Sequence, residues 1–371
     1  MKPTIANSNH VILSGREWIF TVILFLIIGF VLYFGWYHWE ELPLESDFRS
    51  TCWEERMSDY WAYSQWGRAA RARHRVLLIG SSVIWGQEVP HDETLSHYLN
   101  DELGAEDVAN MGIDGLTNAA MTGLFKHYGR FLRGADVILE FNPLWMSSPR
   151  RDLRGKGSDL WQFHHPRLVP QLDRRISYYR GINERVGYLL ENDLKLPPFV
   201  RHLMVNYFEN KSVAAWLMDH PYRLPPGAIT FRAAPMMKEK QGLGTSWSSR
   251  KEAEIWDNPF LSLDESIQWE FYLKALRLLR NKGCRVFILL GPYNTHCLTE
   301  KSRERGRAMI EAVKHRLDEM GYPYFDTTKG FLPSDQFADQ CHLLKGGHML
   351  LARALVDDAA FRKWLGGLKS K

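Results

Sequence analysis

The chain has 371 residues, 45% of them hydrophobic and 24% charged, with a formal net charge of only +4. That composition is globular and long enough for one large α/β domain with additions, without repeats or low-complexity tracts. It excludes the basic stripe or strongly basic domain of a nucleic-acid binder.

The first element in chain order is an uncharged apolar run, Trp18 to Trp36, of the length that crosses a hydrocarbon core, about 20 residues. Trp18 opens it, and Trp36, Tyr37 and Trp39 close it, as aromatic side chains do at membrane interfaces. A cleaved signal peptide would have a shorter apolar core and small residues after it, whereas bulky aromatics, Glu40 and Glu41 follow here. A transmembrane helix over 18–37 is expected, with a cytoplasmic amino terminus, 1–17. Lys2 and Arg16 precede the run, while Glu40, Glu41, Glu45 and Asp47 follow it, so the rest of the chain is expected in the periplasm or outside the cell. Residues 38–74, rich in aromatics and arginine, read as a membrane-proximal helical connector.

Strand and helix patterns then alternate. Strands are expected at Val76–Ile79, Asp107–Asn110, Val137–Phe141, Arg285–Leu290 and Tyr322–Phe325. Helices are expected at Thr94–Leu103, Thr117–Leu132, Glu265–Arg280, Arg303–Met320 and Gly347–Phe361. The third opens at a capping-box spacing, Ser262 to Glu265. The alternation predicts a parallel sheet with helices on both faces. It is interrupted at 147–261, where Pro, aromatic and basic residues replace the pattern. Stretches such as LPPFVRHLMVNYF and AAWLMDHPYRLPP suit covering a core, lining a groove or lying against a membrane.

Four short blocks carry the residue types of acyl chemistry. Gly80-Ser81-Ser82, with Gly86, ends the first strand, where open α/β sheets place their ligands. Taken alone, it is as well explained as a tight turn. Asn110-Met-Gly112-Ile-Asp-Gly115-Leu-Thr117 follows the second strand, and its glycines would let backbone approach a bound group. Glu140-Phe141-Asn142-Pro143 ends the third, where an amide could donate to an oxyanion or merely form a turn. Asp339-Gln-Cys341-His342 precedes the last helix. It suits either a helix cap or a carboxylate set against an imidazole base.

Together, in this order, the blocks resemble the SGNH/GDSL hydrolase family over residues 75–142 and 265–360. The resemblance implies an α/β fold, a three-layer α/β/α sandwich with a five-stranded parallel sheet of flavodoxin-like type, split into 75–146 and 262–371 by the 147–261 insertion. It implies Ser82 as nucleophile, His342 as general base and Asp339 as its orienting carboxylate. Ser82 and Gly115 backbone N–H groups and the Asn142 amide would form the oxyanion hole, with Gly112 in reserve. Two departures stand out: Ser81 occupies the usual Asp position, and Glu140-Phe-Asn142-Pro143 replaces Gly-x-Asn-Asp. The Gly-Ser-Ser start and the single span are also similar to the membrane-anchored SGNH proteins of teichoic-acid D-alanylation, which work beside membrane-bound O-acyltransferases.

The expected activity is therefore a membrane-anchored serine acyltransferase or esterase acting on a cell-envelope polymer, with an acyl-donor substrate. No cofactor, metal or nucleic acid is expected, and a membrane-bound O-acyltransferase is a candidate partner. A purely hydrolytic esterase or a non-catalytic scaffold are the alternatives. The insertion is expected to cover the site, with Trp145, Arg150, Arg151 and Trp161 near its opening. Cys297 and Cys341, in loops at one sheet edge, are expected to form a disulfide in an oxidising compartment. His164, His165, His296 and His348 lack metal-ligand spacing and read as surface or loop residues.

Overall fold

The computed structural model describes residues 13–42, 58–73, 76–155, 164–194, 196–233, 244–250 and 253–367. The chain begins with helix α1 (Gly15–Trp39), opened by a reciprocal cap in which Ser14 accepts from the Glu17 N–H and Glu17 accepts from the Ser14 N–H. This helix is long and apolar enough to cross a membrane, and the most apolar stretch of it is not buried by the rest of the protein.

Helix α2 (Tyr60–Arg73) then leads to β1 (Val76–Ile79), α3 (Ser82–Trp85), α4 (Leu95–Leu103), β2 (Val108–Asn110), α5 (Asn118–His127) and β3 (Asp136–Phe141). Three helices follow in the interrupting stretch, α6 (Ile182–Asp193), α7 (Leu196–Tyr207) and α8 (Val213–Asp219). The alternation resumes with α9 (Ile267–Asn281), β4 (Arg285–Leu290), α10 (Glu300–Met320), β5 (Tyr324–Asp326), α11 (Lys345–Asp357) and α12 (Ala359–Gly366). The five strands form one parallel sheet in the order β2-β1-β3-β4-β5.

Both faces of the sheet are covered, as a parallel sheet requires. Leu77, Ile79, Val137, Leu139, Ile288 and Leu290 pack on one side with side chains from α2, α5, α9 and α10. The alternate residues Val76, Leu78, Ile138, Phe287 and Leu289 pack on the other with α4, α11 and α12.

Two expectations, both on helix boundaries, are corrected. The connector is helical over Tyr60–Arg73, and its Tyr60, Tyr63 and Trp66 belong to the core of the sheet. Residues 43–57 and 74 of that connector lie outside the described residues. Helix α9 does not start at the Ser262–Glu265 pair, which closes a turn ahead of it through a 2.8 Å side-chain bond. Its cap is Ser266, and the buried carboxylate of Asp152 accepts from the Ile267 and Gln268 N–H groups. A charged acceptor at the first turn offers more than a hydroxyl alone, so it fixes the start. The last predicted helix is two helices, since Asp358 adopts extended backbone and caps α12 through the Phe361 N–H.

Candidate active site

The carboxyl ends of β1, β2, β3 and the turn before α11 bring the four blocks together. Ser82 is the first residue of α3, directly after β1. Its Oγ lies 2.7 Å from Nε2 of His342. The other ring nitrogen, Nδ1, lies 2.6 Å from Oδ2 of Asp339. With Nδ1–H donating to the carboxylate, Nε2 is left to accept from the serine hydroxyl. Asp339 Oδ1 accepts from the Cys341 and His342 backbone N–H groups, both at 2.9 Å, so the acid is fixed by the turn that carries the base. That turn is held in place by Asn294, beyond β4, which donates from its side chain to Asp339 O at 3.0 Å and from its backbone to Gln340 O at 2.7 Å.

These contacts set the charges. Burial alone would raise the Asp339 carboxyl, but the hydrogen bonds from His342 and Cys341 hold it at about 2. For His342, burial opposes the imidazolium, while the Cys341 sulfur and the Asp339 carboxylate beside it favour it. The balance lifts it above the ordinary histidine range. Asp339, Cys341 and His342 also bring three ligand-type atoms within 4.8 Å of one another. Both imidazole nitrogens are already engaged, so a metal there would have to displace Ser82 or Asp339.

The two glycines of the second block do different jobs. The Gly112 N–H donates to Asn110 Oδ1 at 2.9 Å, and a Cβ on Gly112 would come within 2.3 Å of the Trp85 backbone nitrogen. Gly112 therefore packs against the helix carrying Ser82. Gly115 has φ +68°, and a Cβ there would meet the His164 ring at 2.4 Å. Among the described residues no hydrogen bond takes up the N–H of Gly115 or of Ser82. The Asn142 amide is oriented at both ends. Its Oδ1 accepts from the Leu144 N–H at 3.0 Å, and Nδ2 donates to Ser81 Oγ at 3.2 Å and also bonds the Glu140 carboxylate.

Beside Ser81, next to Ser82, lies a residue whose part the sequence reading missed. Glu140, fully buried in β3, accepts from both the backbone N–H and the hydroxyl of Ser81. Burial pushes its carboxyl up to about 7, against the Ser81 bonds that lower it. A carboxylate inside the apolar run Val137–Phe141 was the available signal. Ser81 is thus turned away from chemistry, bridging Glu140 to Asn142.

Of the expected groove residues, Trp145 is buried after Asn142. Arg151 reaches back to Gln340 Oε1 at 2.5 Å and to Ser147 Oγ at 3.2 Å, two residues from His342. Arg150 is partly buried in the same turn, and Trp161 lies outside the described residues. Among the described residues, the interrupting stretch does not cover the edge as a whole. Two parts of it, 164–181 and 244–250, do reach it. His165 of the first meets Asp114, and the Trp247 N–H of the second donates to Phe337 O at 2.7 Å. Phe199, Tyr207, Phe208 and Trp216 instead pack against Trp36 of α1 and Trp61 of α2. A cavity lined by Pro143, Tyr293, His296, Arg303 and Lys329 also opens on this sheet edge, but neither Ser82 nor His342 lines it.

The expected Cys297–Cys341 disulfide is absent, both thiols being free. The Cys297 thiol is turned onto the Asn294 carbonyl at 2.9 Å, and Cys341 is buried beside His342. Two of the supposed surface histidines are buried, His165 and His348. His165 donates from Nε2 to Asp114 O at 2.8 Å and accepts from the Tyr60 hydroxyl at 3.0 Å. Burial depresses it to about 4, so it stays neutral.

A second histidine–carboxylate cluster sits where α1 ends. His202 of α7 bonds Asp59 through Nδ1 and Glu40 through Nε2, each at 2.8 Å. Burial opposes its charge, but the two carboxylates outweigh burial and raise it to about 9. Asp59 immediately precedes α2, whose Tyr60 reaches His165 and, through it, the Gly115 turn. Adjacent residues at the start of α2 thus hold two hydrogen-bonded groups, Asp59 the one at the end of the apolar helix and Tyr60 the one at the Gly115 turn.

No protein-family model matches this chain, and no curated protein matches it.

Proposed function

We propose that the protein is a membrane-anchored SGNH-type serine acyltransferase whose site faces the periplasm or the cell exterior. The observation that carries this reading is the Ser82–His342–Asp339 relay, with successive contacts of 2.7 and 2.6 Å. In this reading the sheet and its helices are the SGNH sandwich, interrupted by the 147–261 insertion, and α1 is the anchor. The strand order β2-β1-β3-β4-β5 supports that assignment.

The geometry suits a two-step transfer. Ser82 Oγ attacks the carbonyl carbon of an acyl ester while His342 Nε2 takes its proton. The charge that develops on the carbonyl oxygen meets the N–H groups of Ser82 and Gly115 and the Asn142 amide, which turns toward it from its resting partners Ser81 and Glu140. The intermediate collapses, His342 gives its proton to the departing alkoxide, and the acyl group stays on Ser82. An acceptor hydroxyl then attacks the acyl-enzyme with His342 again as base, forming a new ester and restoring the serine. Water in place of the acceptor would give hydrolysis. Positioning a bound hydroxyl is worth about 7–11 kcal/mol in well-oriented systems, enough to outrun water. The tether to the membrane favours an envelope polymer as acceptor or donor, and a membrane-bound O-acyltransferase as the partner that loads or receives the acyl group.

Labelling with a fluorophosphonate tests the nucleophile. The wild type is expected to be modified at Ser82, and Ser82→Ala to remain unmodified. A partition assay with a chromogenic ester donor and envelope polysaccharide fragments tests transfer. Hydrolysis with no acylated fragment at saturating acceptor would replace transfer by simple esterase activity.

A further inference from the structure

Outside α1, fifteen large hydrophobic side chains are exposed among the described residues, and twelve of them lie between residues 182 and 231, leaving only Leu172, Ile255 and Phe331 elsewhere. Ile182, Val186 and Leu190, spaced by four, form one outward stripe on α6. The end of α8 and the turn after it are more exposed still, with Met218 at 83%, Tyr222 at 99% and Leu224 at 78%. So dense an apolar surface marks an interaction face rather than the scattered exposure of an ordinary surface.

The position of this face identifies what covers it. The apolar run of α1 from Trp18 to Trp36 is about 28 Å long at the helical rise, close to the roughly 30 Å of a hydrocarbon core. Tyr33 and Trp36 therefore mark the outer boundary. Phe199 of α7 packs on both, with ring centroids 5.7 and 5.4 Å apart. Phe231 packs on Trp36 at 5.0 Å, and its carbonyl accepts from the Glu41 N–H at 2.8 Å. Both ends of the 199–231 stretch are thus fixed at the level where α1 leaves the bilayer, and the His202 cluster locks α7 to that point.

We propose that the apolar face of residues 182–224 lies in the outer interface of the lipid bilayer, as a second, monotopic membrane contact beside α1. This inference rests on reading α1 as a membrane span. Amphipathic helices at this depth bury their apolar side among headgroups and upper acyl chains. The contact also orients the domain. Asp59, held by His202, opens α2 at the carboxyl edge of the sheet, while Arg71 near the other end bonds the carbonyls of Phe131 and Arg133 just ahead of β3. The edge carrying Ser82 is therefore the one nearer the membrane, where a lipid-borne or membrane-protein-borne acyl donor would arrive.

The test uses the full chain reconstituted into phosphatidylcholine vesicles that contain phosphatidylcholine with a diazirine in its acyl chain. After irradiation, lipid adducts are mapped by peptide mass spectrometry. Adducts are expected in α1, in 182–200 and in 213–224, with none on the exposed face of α10. Ile182→Glu, Leu190→Glu and Met218→Glu together, all at exposed sites, should cut adducts in 182–224 at least tenfold and leave those in α1 unchanged. Adducts confined to α1 would overturn the lipid contact and assign the face to a protein partner or a second copy. Absence of adducts from α1 itself would overturn the span, and with it the anchored topology.

Discussion

Two of the histidines that sit against carboxylates, His342 and His202, are held at opposite extremes, and the difference between them separates a site fit for proton exchange from a structural tie. His342 has one carboxylate and one hydroxyl as partners, and its side chain is 12% exposed. His202 has a carboxylate on each nitrogen and no exposure. A histidine with a single acid keeps one nitrogen able to accept, donate and return a proton. A histidine clamped by two acids donates from both nitrogens, stays protonated and has nothing left to exchange. In the proposed reading the same residue pair builds a relay in one place and a fastening in the other.

The largest expected effect breaks the relay at its reactive atom. Ser82→Ala should abolish acyl-enzyme formation and lower turnover by roughly 10⁶, the scale seen when a serine nucleophile is removed. Thermal unfolding of the variant should match the wild type. Asp339→Asn should cost about 10²–10⁴ in turnover by leaving the imidazole wrongly oriented. It should also move the pH profile. The reaction needs neutral His342, whose pKa is raised, so wild-type activity climbs through a pH above the ordinary histidine value. Without the acid, that limb should shift downward.

His202→Ala should act on the fold and not on the chemistry. It leaves Glu40 and Asp59 buried with their countercharge gone, a loss on the order of 3–5 kcal/mol, read by denaturant unfolding, with per-molecule acylation of the folded fraction unchanged. The sign with pH follows from the raised value. The contribution of protonated His202 is full below about 6.5 and is lost as pH rises through about 9. Wild-type stability should therefore fall over that window and the variant should lack that fall. The smallest effect is expected at Glu140→Gln, about 1–3 kcal/mol of stability from a poorer partner for Ser81. Glu140 is raised from 4.5 to about 7, so its contribution is lost as pH climbs through that range, and Glu140→Gln should not show that loss.

Much of the fold was legible because the strands are short apolar runs bounded by turn residues. Val76–Ile79 and Arg285–Leu290 match the expected boundaries, and the others shift by two residues or fewer. Ser82, His342 and Asp339 were legible because each ends a strand or precedes a helix, so a parallel sheet has to gather them. What the sequence could not yield was long-range pairing. Nothing local in Asp152 says that it caps a helix more than a hundred residues later. Nor does anything near Glu40 or Asp59 announce His202. The Cys297–Cys341 expectation failed for a related reason. Sharing an edge is not enough when each thiol is turned to a partner of its own.

The central claim, a covalent acyl group on Ser82, is tested most directly by intact mass of the full-length protein after brief incubation with short acyl esters, followed by peptide mapping. One acyl group per chain on the peptide carrying Ser82, lost in Ser82→Ala and retained in Ser81→Ala, is the predicted result. An unmodified wild-type protein while ester is consumed, or an acyl group that persists in Ser82→Ala, would contradict it.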